Sequence, residues 1–571
     1  MKKLAIFLLA CLPLIAWPAL AEDHVDAENY VEIGAKGSDV GKDQNQVTEF
    51  SESQTKVRGM LKLRTMDTKG DLNYRLDLSL FSNEDMEMKL VFHKADWFTS
   101  TTSYNKFRHK LGHDSLSNLS WREASDQAGT IPEHKEVTSV DYSPNEDFYT
   151  IYEDFRQVFD IRLNTSMPSD IQVGFRSQAR NGYHQMMQLS HCDTCHVQSK
   201  SAKLDENTYD VWAKVHAKMN KFDVSYKYTY SKFNNSADQT GFYIDLPRHP
   251  ANGGAVDEFA SRTLYGGEVL PSGFNNDNKK STHEVHIEGT VGGNDRIVAG
   301  ASYSDLANAF TDLDMTTTTG SFRWSHKFRP NFVLDAFLSY YTMDNDDIFI
   351  DIPAWREGRP GGGQPLSFTR YSAYNRDVSY VQLRARYKVD DQNRFTFSYR
   401  YKQTDRDSLV VNLEDGSTDT TSSLFKIRWD GRYGDLRANL MASFESIDHP
   451  FENAMGINED PTAAYSPFPG NSLVYYLQRQ VIGEATNMPS KDMNLRGNLS
   501  YRFSDKASFN IYASLRNGEN NELNTYTMNL TGRTAGTSMF YVLNDKTVLT
   551  IGYDYSFNKQ EAVFSVPVMD G

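Results

Sequence analysis

The sequence predicts an all-β fold, a transmembrane antiparallel β-barrel of about 20 strands, with a range of roughly 18 to 26. Two observations favour this class: side chains alternate between apolar and polar with period two, and short and long connections alternate along the chain. A third observation removes the main competitor, since no segment after residue 21 approaches the roughly 18 uninterrupted apolar residues that a membrane helix needs.

The alternation runs through segments of about ten residues from residue 56 onward. In the first example the apolar side chains share one face: Phe222, Val224, Tyr226, Tyr228 and Tyr230. The pattern repeats at Val381, Leu383, Ala385, Tyr387 and Val389. Successive residues of a strand point to opposite faces, so each segment predicts a strand with one apolar and one polar side. The apolar face is rich in Tyr and Phe, which is typical of outer-membrane barrels.

Connection lengths support the same architecture. Short turns are expected at 292–295, 327–331, 390–393, 431–434 and 504–506, and long polar loops at 234–282, 343–378, 403–421 and 446–489. Outer-membrane barrels have short periplasmic turns and long extracellular loops. An even strand number with both termini in the periplasm requires a last strand, and the best candidate is 562–568.

The chain divides into three parts. Residues 1–21 have two lysines, an apolar run and the closing Ala19-Leu20-Ala21, which is typical of a secretory signal peptide. A lipoprotein cut before Cys11 is the alternative. Residues 22–53 form an N-terminal segment that is periplasmic, a plug or a first strand, and 54–571 form the barrel. Export and the strand pattern together predict the outer membrane of a Gram-negative bacterium, with its lipid as a partner.

Charge excludes one class of partner. The chain of 571 residues has 75 acidic and 60 basic side chains, a net charge of −15, and a mean hydropathy of −0.59. An acidic surface repels a phosphate backbone, so no nucleic-acid partner is expected.

The chemistry concentrates in one motif. Beyond residue 21 the two cysteines are Cys192 and Cys195, followed by His196. Cys-x-x-Cys-His is the attachment pattern of haem c, in which both thiols bond the porphyrin and the histidine ligates iron. The expected cofactor is therefore one covalent haem c. The alternatives are a Cys192–Cys195 disulfide, which an exported compartment permits, and zinc, which lacks a second ligand pair.

The distal iron position has two histidine candidates, His184 and His191, and it is otherwise filled by Met186 or Met187 or left open. The motif is expected in a loop, residues 177–206, at the extracellular end or folded into the lumen. One haem cannot conduct across a hydrocarbon layer of about 30 Å. A wide lumen could hold a partner with the missing haems.

Four segments of the N-terminal third form a recognisable pattern: 30–37, 44–63, 70–97 and 104–109. With these segments the chain resembles the MtrB/PioB family of outer-membrane barrels, and the resemblance extends more loosely over the rest of the barrel. The resemblance implies a sheath around a periplasmic multihaem c-type cytochrome that exchanges electrons with an outer-surface multihaem cytochrome. The haem motif inside such a barrel looks like a porin-cytochrome variant from metal-reducing bacteria. An N-terminal Cys-x-x-Cys found in some relatives is absent here.

Alternation also places a set of basic residues on the lumenal side, where they could contact propionates of a partner haem or acidic solutes: Arg384, Arg386, Arg394, Arg400 and Arg428. No catalytic constellation stands out, so a non-enzymatic role is expected. The first hypothesis is a porin-like sheath of an extracellular electron-transfer conduit that itself binds one haem. The second is a diffusion porin whose Cys192–Cys195 disulfide pins a loop. A peroxide-active haem enzyme is the third.

Overall fold

The all-β fold class is confirmed. The computed structural model describes residues 29–38, 56–116, 137–165, 169–191, 195–243, 269–273, 275–350, 368–370, 372, 374–406, 419–448, 489–523, 526–544 and 547–564. Within these ranges there is no α-helix, and hence no helix long and apolar enough to cross a membrane. The signal peptide 1–21 lies outside the described residues.

Twenty-six strands make up the described chain. In the first half they are β1 Tyr30–Ser38, β2 Lys56–Lys69, β3 Leu72–Ser82, β4 Asp85–Lys94, β5 Phe98–Lys110, β6 Val137–Asp141, β7 Tyr149–Leu163, β8 Ser169–His191, β9 Cys195–Met219, β10 Phe222–Asn235, β11 Thr240–Tyr243, β12 Val269–Ser272 and β13 Asn278–Val291. In the second half they are β14 Asp295–Asn308, β15 Asp314–Arg329, β16 Phe332–Asn345, β17 Ile348–Ile350, β18 Phe368–Arg370, β19 Arg376–Lys388, β20 Asn393–Arg406, β21 Thr420–Tyr433, β22 Leu436–Asp448, β23 Lys491–Ser504, β24 Ala507–Leu523, β25 Tyr526–Asn544 and β26 Thr547–Phe564.

Twenty-two of these strands form one sheet. It is an antiparallel meander from β1 to β26, in which each strand pairs with the next, except that β6 instead joins β9 in parallel. Two small hairpins, β11 with β12 and β17 with β18, stand apart from it. The strand number lies inside the range that the sequence predicts.

The register separates the two faces of the sheet row by row. One row of directly paired residues crosses seven strands and is wholly apolar: Trp324, Ala336, Leu383, Tyr399, Phe425, Phe444 and Met493. The adjacent row is polar throughout: Asp335, Arg384, Ser398, Lys426, Ser443, Asn494 and Arg516. We call these sides the apolar face and the polar face.

The two ends of the sheet differ in their connections. At one end, here the short-turn end, none of the links between strands exceeds the five residues of 164–168. At the other, the long-connection end, lie 39–55, 111–148, 236–277, 346–375, 407–419 and 449–490, together with several short links. The alternation of connection lengths that the sequence predicts is therefore confirmed, with the refinement that only one end is uniform.

The predicted closing strand is wrong. Residues 558–561 look like a polar turn before a strand at 562–568, but β26 runs through them and pairs with β25 without a break up to Phe564. The ladder continues because β25 is 19 residues long and supplies partners for the polar segment. As a result β26 ends at the long-connection end, and residues 565–571 lie outside the described chain.

The first strand of the sheet comes from the N-terminal segment. β1 pairs along its whole length with β2, so part of 22–53 is strand rather than a separate plug. Within the described residues β1 and β26 each pair on one side only. Both edges expose apolar side chains, as shown by Ile33 at 82% and Tyr553 at 67% exposure.

Candidate functional site

The haem motif lies at the tip of the longest hairpin of the sheet. β8 has 23 residues and β9 has 25. The neighbour β7 pairs with β8 only as far as Tyr183, and β10 pairs with β9 only from Glu206. The residues beyond these points therefore form a two-stranded extension of roughly 27 Å, at about 3.4 Å per residue. We call it the ribbon.

The predicted loop 177–206 is therefore wrong. Apart from 192–194, which lie outside the described residues, it is strand throughout. The ribbon also gains a third strand, because β6 pairs in parallel with residues 195–199 of β9. Strand parity places the tip at the long-connection end of the sheet.

Hydrogen bonds fix one face of the ribbon. The Gln185 amide donates to the Asp114 carbonyl at 2.7 Å and accepts the Asp114 N–H at 2.8 Å. Ser199, which is fully buried, donates from its hydroxyl to Asp141 at 2.9 Å. Asp141 also contacts the His113 ring at 2.7 Å. These bonds tie 111–116 and β6 to the ribbon through β8 and β9.

The Asp141 carboxylate is held in its charged form. Burial alone would raise the pKa of Asp141, but hydrogen bonds from the Ser143 N–H and from the His113 and Ser199 side chains outweigh it and lower the pKa. A carboxylate that accepts several hydrogen bonds stays ionised at neutral pH, so Asp141 keeps β6 attached to the ribbon. Its partner Ser199 lies four residues along β9 from Cys195.

The opposite face of the ribbon is covered by β11. The Gln198 side chain, 1% exposed, donates to the Tyr243 carbonyl at 2.8 Å. The Lys200 ammonium donates to the Gly241 carbonyl at 2.8 Å and lies 5.5 Å from the centre of the Phe242 ring. Among the described residues the largest fully buried side chains lie in the ribbon or beside it: Gln198 and Ser199 belong to β9, and Phe148 and Phe242 to the segments next to it.

The tip itself brings the motif residues together. The register pairs His191 with Cys195 and Ser190 with His196, and three residues join the two strands. Cys192 lies outside the described residues, and the structure describes only the backbone of Cys195, His196 and His191. A Cys-x-x-Cys-His sequence supplies the donor set of a covalent haem, and the ladder pairs the backbone of Cys195 with that of His191.

His184 does not suit the distal position. It pairs with Ala202, seven residues along β9 from Cys195, which corresponds to about 24 Å of strand. No histidine side chain covers that distance to the iron of a haem bonded at the tip. His191 is next to Cys195 in the ladder and remains the histidine candidate.

His184 instead lines a cavity of about 410 Å³ at the base of the ribbon. The lining also contains Glu206, 4% exposed, which accepts from Asn275 at 2.7 Å and pairs with Arg180 at 3.2 Å. Burial lowers the pKa of His184 below its ordinary value, against the opposing effect of the Glu206 carboxylate. The ring is therefore neutral at pH 7, and its buried Nδ1 has no hydrogen-bond partner.

The predicted arginines share one face of the sheet. The register places Arg384, Arg386, Arg394, Arg400 and Arg428 all on the polar face. Several have carboxylate partners there: Arg386 lies 3.0 Å from Asp335, and Arg428 lies 2.7 Å from Asp430.

Sequence reasoning missed two sets of residues. The residues that anchor the ribbon, such as Gln185 and Ser199, give no signal in the sequence because polar residues are common in any segment predicted to be a loop. Three further cations, Arg376, Lys402 and Arg406, join Arg400 on the polar face. Extending the alternation of β20 beyond Arg400 would have found Lys402 and Arg406.

No family model matches the chain, and no curated protein matches it. Among solved structures, the copper transporter OprC shares 8% identity over 94% of this chain and 81% of its own, with a TM-score of 0.48. The siderophore receptor PirA from Acinetobacter baumannii shares 10% over 88% and 74%, with a TM-score of 0.47. The apoprotein form of the FrpB iron transporter from Neisseria meningitidis (F5-1 variant) shares 8% over 88% and 79%, with a TM-score of 0.45. These likenesses carry no argument about what this chain binds.

Proposed function

We propose that this chain is an outer-membrane β-barrel that binds one covalent haem c at the ribbon tip and forms the sheath of an electron-transfer conduit. The observation that supports it most is the position of Cys195 and its neighbours, at the tip of a ribbon packed on both faces. A redox group that exchanges electrons with a partner needs a fixed position near the surface.

Exposed apolar rows support the membrane assignment. On the apolar face Phe425 is 58% exposed, Phe444 45% and Met493 58%. A water-soluble protein rarely exposes a contiguous apolar patch of this extent. Lipid would cover these rows, while the polar face would enclose an aqueous lumen as in other membrane barrels. Pairing of β1 with β26 would complete the wall.

The chain's own residues would perform three tasks at the tip. Cys192 and Cys195 would hold the porphyrin through thioether bonds, and His196 would ligate the iron on one side. His191 is the candidate for the other side. The bound haem would supply reversible one-electron transfer, and the bonds from Asp114 and Asp141 would keep it at a constant position.

The thickness of the membrane makes a partner protein with further haems necessary. A single haem at one end cannot bridge a hydrocarbon layer of about 30 Å. Barrels of about 22 strands enclose a lumen wide enough for a protein plug. A periplasmic multihaem c-type cytochrome in the lumen would supply the remaining centres, and an outer-surface cytochrome could meet the tip at the long-connection end.

Liposomes that enclose a reduced redox dye test the sheath. With the barrel and its multihaem cytochrome together in the membrane, we expect electrons to reach an external acceptor too large to enter. We expect the C192S/C195S variant to slow this transfer strongly while leaving cytochrome insertion unchanged. A barrel that leaks small solutes, and whose leak the cytochrome neither blocks nor converts into electron transfer, would contradict the sheath.

The same preparation distinguishes the diffusion porin. A colourless barrel with a Cys192–Cys195 disulfide and a solute flux that rises on reduction would support the porin instead. Peroxide turnover by the isolated barrel would favour the enzyme hypothesis.

A further inference from the structure

A group of four cations lies on the polar face where β19 begins and β20 ends. Arg376 is directly opposite Arg406, and Lys402 and Arg400 lie four and six residues before Arg406 on the same face of β20. At about 3.4 Å per residue the backbones of the group span roughly 20 Å of strand, so the four long side chains lie along one stretch of the polar face. The charges of the three arginines all act on the Lys402 ammonium.

Among the described residues few acids lie close to the group, and the Arg406 guanidinium already donates to the Thr420 hydroxyl at 3.0 Å. Glu445 is paired with Arg400, and Asp419 accepts the backbone N–H of Arg406 at 2.9 Å. Among the described residues neither Arg376 nor Lys402 has an ion-pair partner, and the buried Nε of Arg376 has no hydrogen-bond partner. Acids at 377 and 405 belong to the opposite, apolar face.

Such an arrangement costs stability unless something binds it. Like charges directly opposite each other in a sheet are destabilising, and a buried donor without a partner loses its hydration. Between the cations, on the same face, lie the paired residues Val378 and Thr404, whose side chains are only 3% and 4% exposed to solvent. Low-dielectric surroundings strengthen the attraction that a cationic group exerts on an anion. Lys402 itself is exposed, so a ligand can approach.

We infer that Arg376, Arg400, Lys402 and Arg406 form a binding site for an anion with several carboxylates. Guanidinium groups bind carboxylates in pairs of parallel hydrogen bonds, and the separate cations suit several carboxylates better than one. The carboxylates could belong to a free oligocarboxylate or to acidic groups on a protein inside the lumen. The site needs the polar face to be accessible and does not depend on the haem.

Isothermal titration of the full-length protein in detergent, at low salt, tests the site with mellitate, a benzene ring bearing six carboxylates. We expect wild-type protein to bind mellitate and to bind benzoate far more weakly. The R376Q/K402Q variant should weaken mellitate binding by at least about tenfold. The matched control is R428Q, which removes a cation of the same face that already has Asp430 as a partner, and it should change binding by less than about twofold.

Circular dichroism establishes that the variants fold, and the single K402Q variant provides a milder second test with an intermediate loss. Absence of mellitate binding by wild-type protein, or equal losses in R376Q/K402Q and R428Q, would overturn the inference. If hexaglutamate competes with mellitate, the site accepts protein-borne carboxylates; if it does not, the site selects small solutes. Every variant keeps Cys192 and Cys195, so haem staining reports separately on the proposed function.

Discussion

The wall formed by β13–β16 and β19–β26 and the ribbon of β8 and β9 are built on opposite rules. In the wall, the apolar row through Phe425 lies beside a polar row through Lys426, and large apolar side chains such as Phe425 remain exposed. In the ribbon, polar side chains such as Gln198 and Ser199 are fully buried, and they donate hydrogen bonds to a backbone carbonyl and to a carboxylate. The two faces of the wall suit an apolar medium on one side and water on the other. The hydrogen bonds of the ribbon instead suit it to keep its tip at a fixed position.

The largest effect is expected from a charge in the wall. Phe425→Arg places a cation in the middle of the exposed apolar row, and a cation facing lipid near the midplane costs about 2–4 kcal/mol. We expect a corresponding loss in the free energy of unfolding, measured by urea titration in lipid vesicles. Asn439→Arg, which adds the same charge on the polar face opposite Asp430, is the control and should cost far less. Equal costs would mean that the two faces are not distinct.

A smaller and local effect is expected in the ribbon. Ser199→Ala removes a buried hydroxyl that donates to Asp141 and accepts from Gln185 at 3.1 Å. Loss of such a partner costs about 1–3 kcal/mol. We expect hydrogen exchange to speed up at the Tyr142 amide, which donates to the Ser199 carbonyl at 2.9 Å. Ser443→Ala in the wall is the control, and unchanged exchange at Tyr142 would contradict the anchoring role.

The smallest effect is a pH dependence at the base of the ribbon. Because burial lowers the pKa of His184, the unfolded segment binds a proton more readily, and local stability falls as pH decreases from about 6.5 towards the folded-state pKa. Hydrogen exchange of the ribbon amides, corrected for the intrinsic rate, should show this decline in wild type and a flatter profile in His184→Gln. Asp141 does not interfere in this window, since its pKa is lowered from 3.8. An equally steep decline in both proteins would assign the effect to other groups.

Period-two alternation predicted the wall because each face of a membrane strand meets a uniform environment along its length. It misplaced the end of β26, because the polar residues 558–561 resemble a turn although β25 supplies a full ladder of partners. It also missed the ribbon. Protein covers both faces there, so neighbouring side chains of β9 on opposite faces, such as Gln198 and Ser199, are both polar and both buried.

The candidate site was only partly predictable for a related reason. Spacing alone identifies Cys192, Cys195 and His196 as a group, because their chemistry needs them close in sequence. The distal ligand depends on the register of two strands. That register separates His184 from the tip by about 24 Å of strand and leaves His191 beside it.

Peptide mass spectrometry of the exported protein tests whether the ribbon tip holds a covalent haem. We expect the peptide containing Cys192 and Cys195 to gain the mass of one haem joined by two thioether bonds. In C192S/C195S the haem should be lost while the barrel still folds. An unmodified peptide with a Cys192–Cys195 disulfide, obtained from cells able to attach haem c, would contradict it.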